Sequence, residues 1–319
     1  MGTVYRAAKR AELGKIVELW SEVFGVENNF FRSLLEADPT NTLGHTRVAV
    51  DDHGTILSTV QVFRRTKLGL DGRIDRIGGI GSVATRPEAR GKGYSHRLLS
   101  EAIVLMREES YDYALLFTGI NDFYARLGFR TVVSGPSPTR LAPLPPVKRA
   151  DLVVPVMDLT VRTLRMVKRT YTAGLGRRPL ADVRDLRQWR TAAHYRLAGR
   201  HHDFYVLSRA AGAACAYASV RWGANSLEVA EWGFTGNVPG LMVKILDSIR
   251  TEALSRGVQQ VHIAPAICAE EKVVFQRLVI DPEPMTGNYT MVLPLTVTPE
   301  YLEQLFAHPL ARCLPADSF

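Results

Sequence analysis

Residues 83–100 read "VATRPEARGKGYSHRLLS", and this stretch joins a predicted strand to a predicted helix that begins near Tyr94. Three cations and two glycines crowd the start of that helix. The cations are Arg90, Lys92 and Arg97, and the glycines are Gly91 and Gly93. A helix N-terminus carries partial positive charge, so cations there are unfavourable, and glycine adds an entropic cost to helix nucleation. A segment that accepts both costs is typical of an anion-binding site.

The backbone of this segment can donate many hydrogen bonds. No proline occurs from Glu88 to Ser95, so each residue there has a backbone N–H. The two glycines let the loop fold into a concave row of donors at the helix N-terminus, which suits phosphate oxygens. The nucleotide P-loop pattern is not met, because Gly93 follows Lys92, and the Rossmann pattern is not met, because His96 replaces its third glycine. We therefore predict a pyrophosphate loop of another type.

Composition indicates an ordinary globular chain. Its 319 residues are 46% hydrophobic and 23% charged, and the length predicts two domains or one large one. The net charge of +8 reflects either solubility or an anionic partner, which would be a phosphorylated cofactor or nucleic acid. No run of Lys and Arg is interleaved with aromatic residues as in nucleic-acid modules, so the sequence argues against a nucleic-acid partner.

The sequence favours a cytoplasmic protein without a membrane partner. No run of about eighteen apolar residues occurs, and the N-terminal "MGTVYRAAKR" has no apolar signal core. The three cysteines show neither metal-ligand spacing nor a disulfide framework, so we expect a reduced chain and no metal. The segment His201–Asp203 suggests metal ligands, but adjacent residues seldom share an ion, and we interpret it as structural. Cys268 is a nucleophile candidate, although a small buried hydrophobe is the favoured interpretation.

The order of predicted elements indicates an α/β (α+β) chain of two similar units. The first has a strand and an amphipathic helix, then strands such as "TILSTVQVF" (55–63), then the loop. A helix, a buried strand "YDYALLFTG" (111–119) and a short helix "NDFYARLGF" (121–129) follow. After a Pro-rich joint, the second half repeats this order in weaker form. We expect units at 1–148 and 149–296, each a mixed, mostly antiparallel sheet flanked by helices, and a C-terminal helix and tail at 297–319.

The string Arg90–Ser95 resembles the R/Q-x-x-G-x-G/A pyrophosphate loop of the GNAT acyltransferases, which bind acetyl-CoA, although Ser95 departs from the final Gly/Ala. The strand before the loop, the strand after the helix and the short helix also follow the order of that family. The resemblance implies that the pre-loop strand splays and hydrogen-bonds the pantetheine arm through its backbone. The cofactor-binding residues that it implies are Val83, Ala84, Thr85, Arg90, Gly91, Lys92, Gly93, Tyr94, Ser95, His96, Gly119, Ile120 and Asn121.

The family places a tyrosine on the short helix as general acid, and Tyr124 occupies that position; the alternative is a core aromatic residue. The tandem layout, with no such loop in the second half, resembles the Eis (enhanced intracellular survival) group over roughly residues 3–295. That group has a sterol-carrier-like domain, which we do not expect in this chain. Its C-terminal carboxylate is the catalytic base, which implies the α-carboxylate of Phe319 here; alternatively, the tail covers the joint between the units.

These features predict an acetyl-CoA-dependent N-acetyltransferase that transfers acetyl directly to a primary amine. The acceptor would be a small molecule or a peptide, and Asp75 and Glu27 are candidate carboxylates on its side of the site. The rival hypothesis is an acyl-CoA-binding regulatory or scaffold protein without turnover, since the second half shows that such a unit can lack the loop. Homo-oligomerisation stays open.

Overall fold

The computed structural model describes residues 2–37, 43–134, 137–157, 159–191, 201–209, 215–235, 239–264, 266, 268–280 and 289–313. The chain forms two mixed β-sheets, of seven and five strands, with helices packed against them. Most strand pairs are antiparallel. The predicted α/β architecture of two mostly antiparallel sheets flanked by helices is therefore confirmed.

The bounds of the elements are as follows. The strands are β1 (Val4–Ala7), β2 (Thr46–Val50), β3 (Ile56–Leu68), β4 (Ile74–Thr85), β5 (Tyr113–Phe117), β6 (Arg130–Val132), β7 (Ser137–Thr139), β8 (His202–Ser208), β9 (Cys215–Trp222), β10 (Ser226–Phe234), β11 (Gln260–Ile263) and β12 (Thr290–Pro294). The helices are α1 (Leu13–Phe24), α2 (Asn28–Ala37), α3 (Tyr94–Glu108), α4 (Asn121–Ala125), α5 (Val161–Ala173), α6 (Pro239–Ser255), α7 (Ala269–Phe275) and α8 (Pro299–Ala307). Within the described residues, no helix has the length and apolarity needed to cross a bilayer.

The seven-stranded sheet has the order β1-β2-β3-β4-β5-β12-β6 and is covered on both faces. Helix α3 packs its apolar stripe against the face that carries Ala114 and Leu116. Helix α8 packs against the opposite face, which carries Tyr113 and Leu115, because successive residues of a strand point to opposite sides. The buried residues of α3 are those that the periodicity predicts: Leu98, Leu99, Ala102, Ile103 and Met106. This packing fixes the N-terminus of α3 beside the end of β4.

The five-stranded sheet has the order β7-β11-β10-β9-β8, and the two sheets exchange one strand each. Strand β12 lies late in the sequence but inserts between β5 and β6 of the first sheet. Strand β7 lies within the Pro-rich joint, in the first half of the chain, but pairs with β11 of the second sheet. The predicted range 1–148 contains β7, which hydrogen-bonds in the second sheet. The predicted range 149–296 contains β12, which hydrogen-bonds in the first sheet.

The two units are also joined at the carboxyl end of β3. Leu68 donates its amide to Ala181 O at 2.8 Å and accepts from the amide of Leu180 at 2.7 Å. Beside these bonds, the Lys67 ammonium lies 2.6 Å from the Asp182 carboxylate, and both side chains are buried. Segment 180–183 thus extends the hydrogen bonding of β3 into the second unit.

Candidate active site

Two glycines give the loop before α3 its shape. Gly91 and Gly93 have φ angles of 76° and 78°, in the left-handed region that side chains rarely adopt. A Cβ atom at either position would meet no atom within 4 Å, so backbone conformation, not crowding, requires glycine there. The sequence prediction of a tight glycine loop at this helix N-terminus is therefore confirmed.

The loop presents a row of unused backbone donors. The first backbone bond of α3 runs from the amide of Arg97 to Gly93 O at 3.0 Å. The amides of residues 91–96 make no hydrogen bond within the described part of the chain. Six consecutive N–H groups at the positive end of a 15-residue helix form a site for an anion.

Three cations surround this row of amides. Lys92 is exposed and makes no ion pair with any described residue. The Arg97 guanidinium lies 3.9 Å from the centroid of the Tyr5 ring and 3.5 Å from the Glu101 carboxylate, which holds it beside the loop. Arg90 reaches back to Thr85 O at 3.4 Å. Lys92 therefore has no described partner and is available to an anion at the loop, while Arg90 and Arg97 are held beside it.

Strand β4, which leads to the loop, leaves its neighbour β5 before it ends. Parallel pairing joins Ile77–Ile80 of β4 to Tyr113–Leu116 of β5, but β4 continues to Thr85. The register with β3 shifts in the same region, where Ser82 has a φ of 46°. Over residues 81–85, the edge of β4 that faces β5 therefore has no strand partner in the described structure, and a cleft opens between the two strands.

The backbone groups of β4 point alternately to its two edges. The amide of Arg86 donates to a β3 carbonyl at 2.9 Å, and Ala84 O accepts from Ser58 Oγ on the same side at 2.9 Å. Because the direction alternates along a strand, the N–H and C=O groups of Val83 and Thr85 face the cleft. Two of the three predicted strand residues thus turn their backbone to the cleft, whereas the carbonyl of Ala84 is engaged within the sheet.

Tyr124 lies on α4, the short helix that follows β5. Its ring is buried, packs edge-on against Phe123 and Phe129, and belongs to the cluster that includes Val83 and Tyr94. Burial raises the pKa of the Tyr124 hydroxyl to about 12, so the hydroxyl stays protonated at neutral pH. The structure thus brings this tyrosine together with residues of the splayed strand and of the loop.

The segment between β5 and α4 borders the same cleft. The Ile120 side chain is 63% exposed, and its amide donates to Thr118 Oγ1 at 3.1 Å. Asn121 donates from Nδ2 to Thr131 Oγ1 at 2.8 Å, and a Cβ atom at Gly119 would meet nothing within 4 Å. These three predicted residues therefore lie at the carboxyl end of β5, where β4 and β5 separate.

Residues 4–132 match the family model of the acetyltransferase (GNAT) domain. This segment is a GNAT domain. No curated protein matches the chain significantly in sequence. The loop, the splayed strand and Tyr124 all lie inside the matched range, so the sequence resemblance to GNAT proteins is confirmed for the half that carries the site.

Solved structures with a similar fold cover almost the whole chain. A probable N-acyltransferase from Enterococcus faecalis superposes with a TM-score of 0.67 at 17% identity, covering 92% of this chain and 73% of that one. Eis1 from Mycobacterium abscessus gives a TM-score of 0.58 at 13% identity, with coverage of 92% and 74%. Saccharomyces cerevisiae N-myristoyltransferase with bound myristoyl-CoA gives 0.58 at 11% identity, with coverage of 91% and 82%. At these identities the likeness concerns the fold, and the predicted resemblance to tandem GNAT proteins is confirmed at that level.

The second unit differs from the GNAT domain at the corresponding position. Strand β10 pairs in parallel with β11 as β4 does with β5, and α6 follows β10 as α3 follows β4. Strand β10 ends at Phe234 and α6 begins at Pro239, which has no N–H, whereas eight residues (86–93) separate β4 from α3 in the GNAT domain. Just past the parallel pairing, the buried Glu231 carboxylate lies 2.7 Å from Arg184 Nη1. The sequence analysis did not predict this ion pair. The sequence signal that could have indicated it is Glu231, an acid in the otherwise mostly apolar strand "LEVAEWGF" (227–234).

Of the two candidate carboxylates of the acceptor side, Asp75 lies away from the cleft. Asp75 is fully buried at the start of β4, the end opposite the loop, so the expectation that it faces an acceptor was wrong. The Tyr301 hydroxyl donates to it at 2.7 Å, and burial raises its pKa. Glu27 is exposed just before α2. Phe319 lies outside the described residues, and its role as base stays a prediction.

The remaining candidates lie in the second unit. Cys268 is exposed before α7, with Sγ 3.8 Å from the Glu270 carboxylate, so the expectation of a buried thiol was wrong; the helix start holds it at the surface. Asp203 accepts a hydrogen bond from Trp222 Nε1 at 2.8 Å, which is a structural contact. Within the described part of the chain, no group of His, Cys, Asp and Glu is arranged to hold a metal ion.

Proposed function

We propose that this protein is an acetyl-CoA-dependent N-acetyltransferase that acts on a primary amine by direct transfer. The GNAT fold supports acyl transfer in general. The observation that carries the finer proposal is the row of six unused amides at residues 91–96, beside a strand whose edge is open. A phosphate site next to an open strand edge suits a ligand with a pyrophosphate and an extended amide-containing arm, which are the two parts of coenzyme A.

Different residues of the GNAT domain would bind different parts of acetyl-CoA. The amides of 91–96, with the charge of Lys92, would hold the pyrophosphate. The backbone groups of Val83 and Thr85 would hydrogen-bond the pantetheine arm as a neighbouring strand does. When bound, the cosubstrate supplies an acetyl thioester, whose carbonyl oxygen becomes negative as an amine attacks. A backbone N–H of the splayed strand would stabilise that charge.

Proton transfers complete the reaction. An alkylammonium near pKa 10.4 is not nucleophilic at neutral pH, so a base or a water chain must first remove a proton from the acceptor. Tyr124, with its pKa raised to about 12 by burial, carries its proton under these conditions. We assign it the role of general acid, which donates this proton to the departing thiolate of coenzyme A.

A panel of primary amines tests the proposal. Coenzyme A release is followed with a thiol reagent while acetyl-CoA and each amine are mixed with the protein. We expect release that depends on the amine, on its concentration and on a pH high enough to deprotonate it. Binding of acetyl-CoA by calorimetry without release on any aminoglycoside, polyamine, amino acid or peptide would instead support the rival, an acyl-CoA-binding protein without turnover.

A further inference from the structure

The second unit contains a concave surface that the acyltransferase proposal does not use. A cavity of about 730 Å³ lies between α5, the turn at 175–177 and the residues just after position 185. We call it the α5 groove. Its wall and floor include Arg165, Lys168, Arg169, Thr172, Arg177 and Leu186.

The α5 groove is strongly positive. Of the lining side chains that the structure describes, four are cations and none is an acid. Along α5, Arg165 lies three residues before Lys168 and four before Arg169, so like charges are neighbours on one helix face. The helix has no acidic residue over its 13 positions, and Arg162 adds a further cation in its first turn. Such a helix is destabilised by repulsion unless an anion lies beside it.

The cations of the groove differ from four other arginines of the second unit. Among the described residues, none of the four makes an ion pair or a side-chain hydrogen bond. By contrast, Arg178 lies 2.8 Å from Glu271, and Arg184 lies 2.7 Å from Glu231. Arg221 and Arg256 are likewise paired, with Glu228 and Glu252. The four arginines outside the groove are thus neutralised by nearby glutamates, whereas the cations of the groove are available to a ligand.

We propose that the α5 groove binds a small organic anion with clustered phosphate groups. Three guanidinium groups suit phosphate oxygens, because each can donate two parallel hydrogen bonds, and the volume is within the range for small-molecule sites. Leu186 offers an apolar surface to the organic part of the ligand. The described residues of the lining include no aromatic ring on which a base could stack, which favours a small anion over a single-stranded nucleic acid as the occupant.

The groove is separate from the acyl-CoA cleft. Segment 180–183, which lies between Arg177 and Leu186, hydrogen-bonds to β3 at residues 66–68. The cleft borders the other end of β3, where Ser58 pairs with Thr85. Ten residues of strand separate Ser58 from Leu68, which corresponds to roughly 33 Å. The α5 groove is therefore distinct from the cleft in which the acceptor would react. The proposal of an anion site in the groove does not depend on whether the GNAT domain turns over acetyl-CoA.

Calorimetry with inorganic tripolyphosphate, combined with hydrogen exchange, tests the site on the full chain. The double variant Arg165→Gln/Arg169→Gln removes two charges of the groove. The matched control Arg107→Gln/Arg162→Gln removes two exposed arginines outside the lining, one of them on the same helix. Hydrogen exchange of segment 161–177 reports binding in the groove, and exchange of segment 91–96 reports binding at the GNAT loop, so the two phosphate sites are distinguished.

We expect tripolyphosphate to slow exchange in 161–177 and the groove variant to bind at least tenfold more weakly there, with the control within twofold of wild type. Because the groove variant loses like charges on one helix, its melting temperature should equal or exceed that of wild type. If the melting temperature falls instead, the single variant Arg177→Gln, outside α5, repeats the binding test. Equal losses in both double variants, or unchanged exchange in 161–177, would overturn the proposal. Tighter binding of a single-stranded oligonucleotide of equal charge would assign the groove to nucleic acid instead and would likewise overturn it.

Discussion

Tyr124 is the residue on which the proposed chemistry depends most directly. It is buried, and the only cause that raises its pKa is burial itself, with no hydrogen bond to a described residue. Removal of the hydroxyl should therefore leave packing nearly intact while it removes the proton donor. We expect Tyr124→Phe to keep its affinity for acetyl-CoA and to lose about 10²–10⁴-fold in kcat, the usual contribution of general acid catalysis.

A buried tyrosine of the second unit provides the control for that variant. Tyr205 is also buried, and burial raises its pKa as well. Tyr205→Phe should keep wild-type kcat, and thermal melts should show both variants folded. A loss of less than about threefold for Tyr124→Phe, measured with the best amine, would rule out Tyr124 as the acid.

A substitution at Gly93 tests whether the loop binds the pyrophosphate. An aspartate there would have to adopt a φ of 78° and would place a carboxylate where the pyrophosphate is proposed to bind. Gly54 has nearly the same φ, 77°, in an exposed turn far along the chain from the loop, so Gly54→Asp matches both strain and charge. By calorimetry, Gly93→Asp should weaken acetyl-CoA binding at least tenfold and Gly54→Asp should not. Equal affinity in the two proteins would place the cofactor elsewhere.

Among the elements, the junction of β1 and α1 depends on one carboxylate. The Arg6 guanidinium donates to both oxygens of Glu12, at 2.6 and 2.9 Å, and the amide of Lys9 donates to it at 2.7 Å. The hydrogen bonds from Arg6 lower the pKa of Glu12 from 4.5 to about 2. Because the pKa is lower in the folded state, the stability gained is present above pH 4.5 and is lost as the pH falls from 4.5 towards 2.

Glu12→Gln should therefore reduce the free energy of unfolding at pH 7 by about 1.5–3 kcal/mol, the usual value for hydrogen bonds to a charged group. The difference from wild type should shrink as the pH is lowered through that interval, as measured by urea unfolding at several pH values. Glu18→Gln changes an exposed glutamate of α1 and should have little effect at any pH. A Glu12→Gln deficit that stays constant down to pH 3 would show that the lost contacts do not depend on charge.

The sequence predicts elements well where local chemistry decides them. The glycines and cations of 90–97 predict the loop, because positive φ and misplaced charge are local properties. It fails where the partner is distant in the chain. Strand β3 continues to Leu68 rather than ending near Phe63, and its buried Lys67 lies 2.6 Å from Asp182 of the other unit, a partner that the local sequence does not indicate. The apolar pattern of β12 likewise indicates burial but not which sheet it joins.

For the whole molecule, the exchange of strands makes each sheet depend on the other half of the chain. Strands β1–β6 lie within residues 1–148, but β12 fills the position between β5 and β6. The following helix, α8, covers Tyr113 and Leu115 on one face of the same sheet. The buried apolar side chains that these two distant elements contribute are Met291, Val292, Leu293, Leu302 and Leu305. At about 1.5–3 kcal/mol each, their burial amounts to roughly 7–15 kcal/mol, which is comparable to the stability of a whole domain.

Residues 1–148 alone should therefore fail to form a stable GNAT domain, even though they contain the loop, the splayed strand and Tyr124. Without β12, the edges of β5 and β6 are exposed, and an open apolar strand edge favours aggregation. We expect this fragment to show no cooperative thermal transition. The same fragment joined by a flexible linker to residues 289–313 should regain one, because the linker returns β12 and α8 to the sheet. If residues 1–148 alone melted cooperatively near the full-length midpoint, β12 would be dispensable, and the two halves would be independent domains.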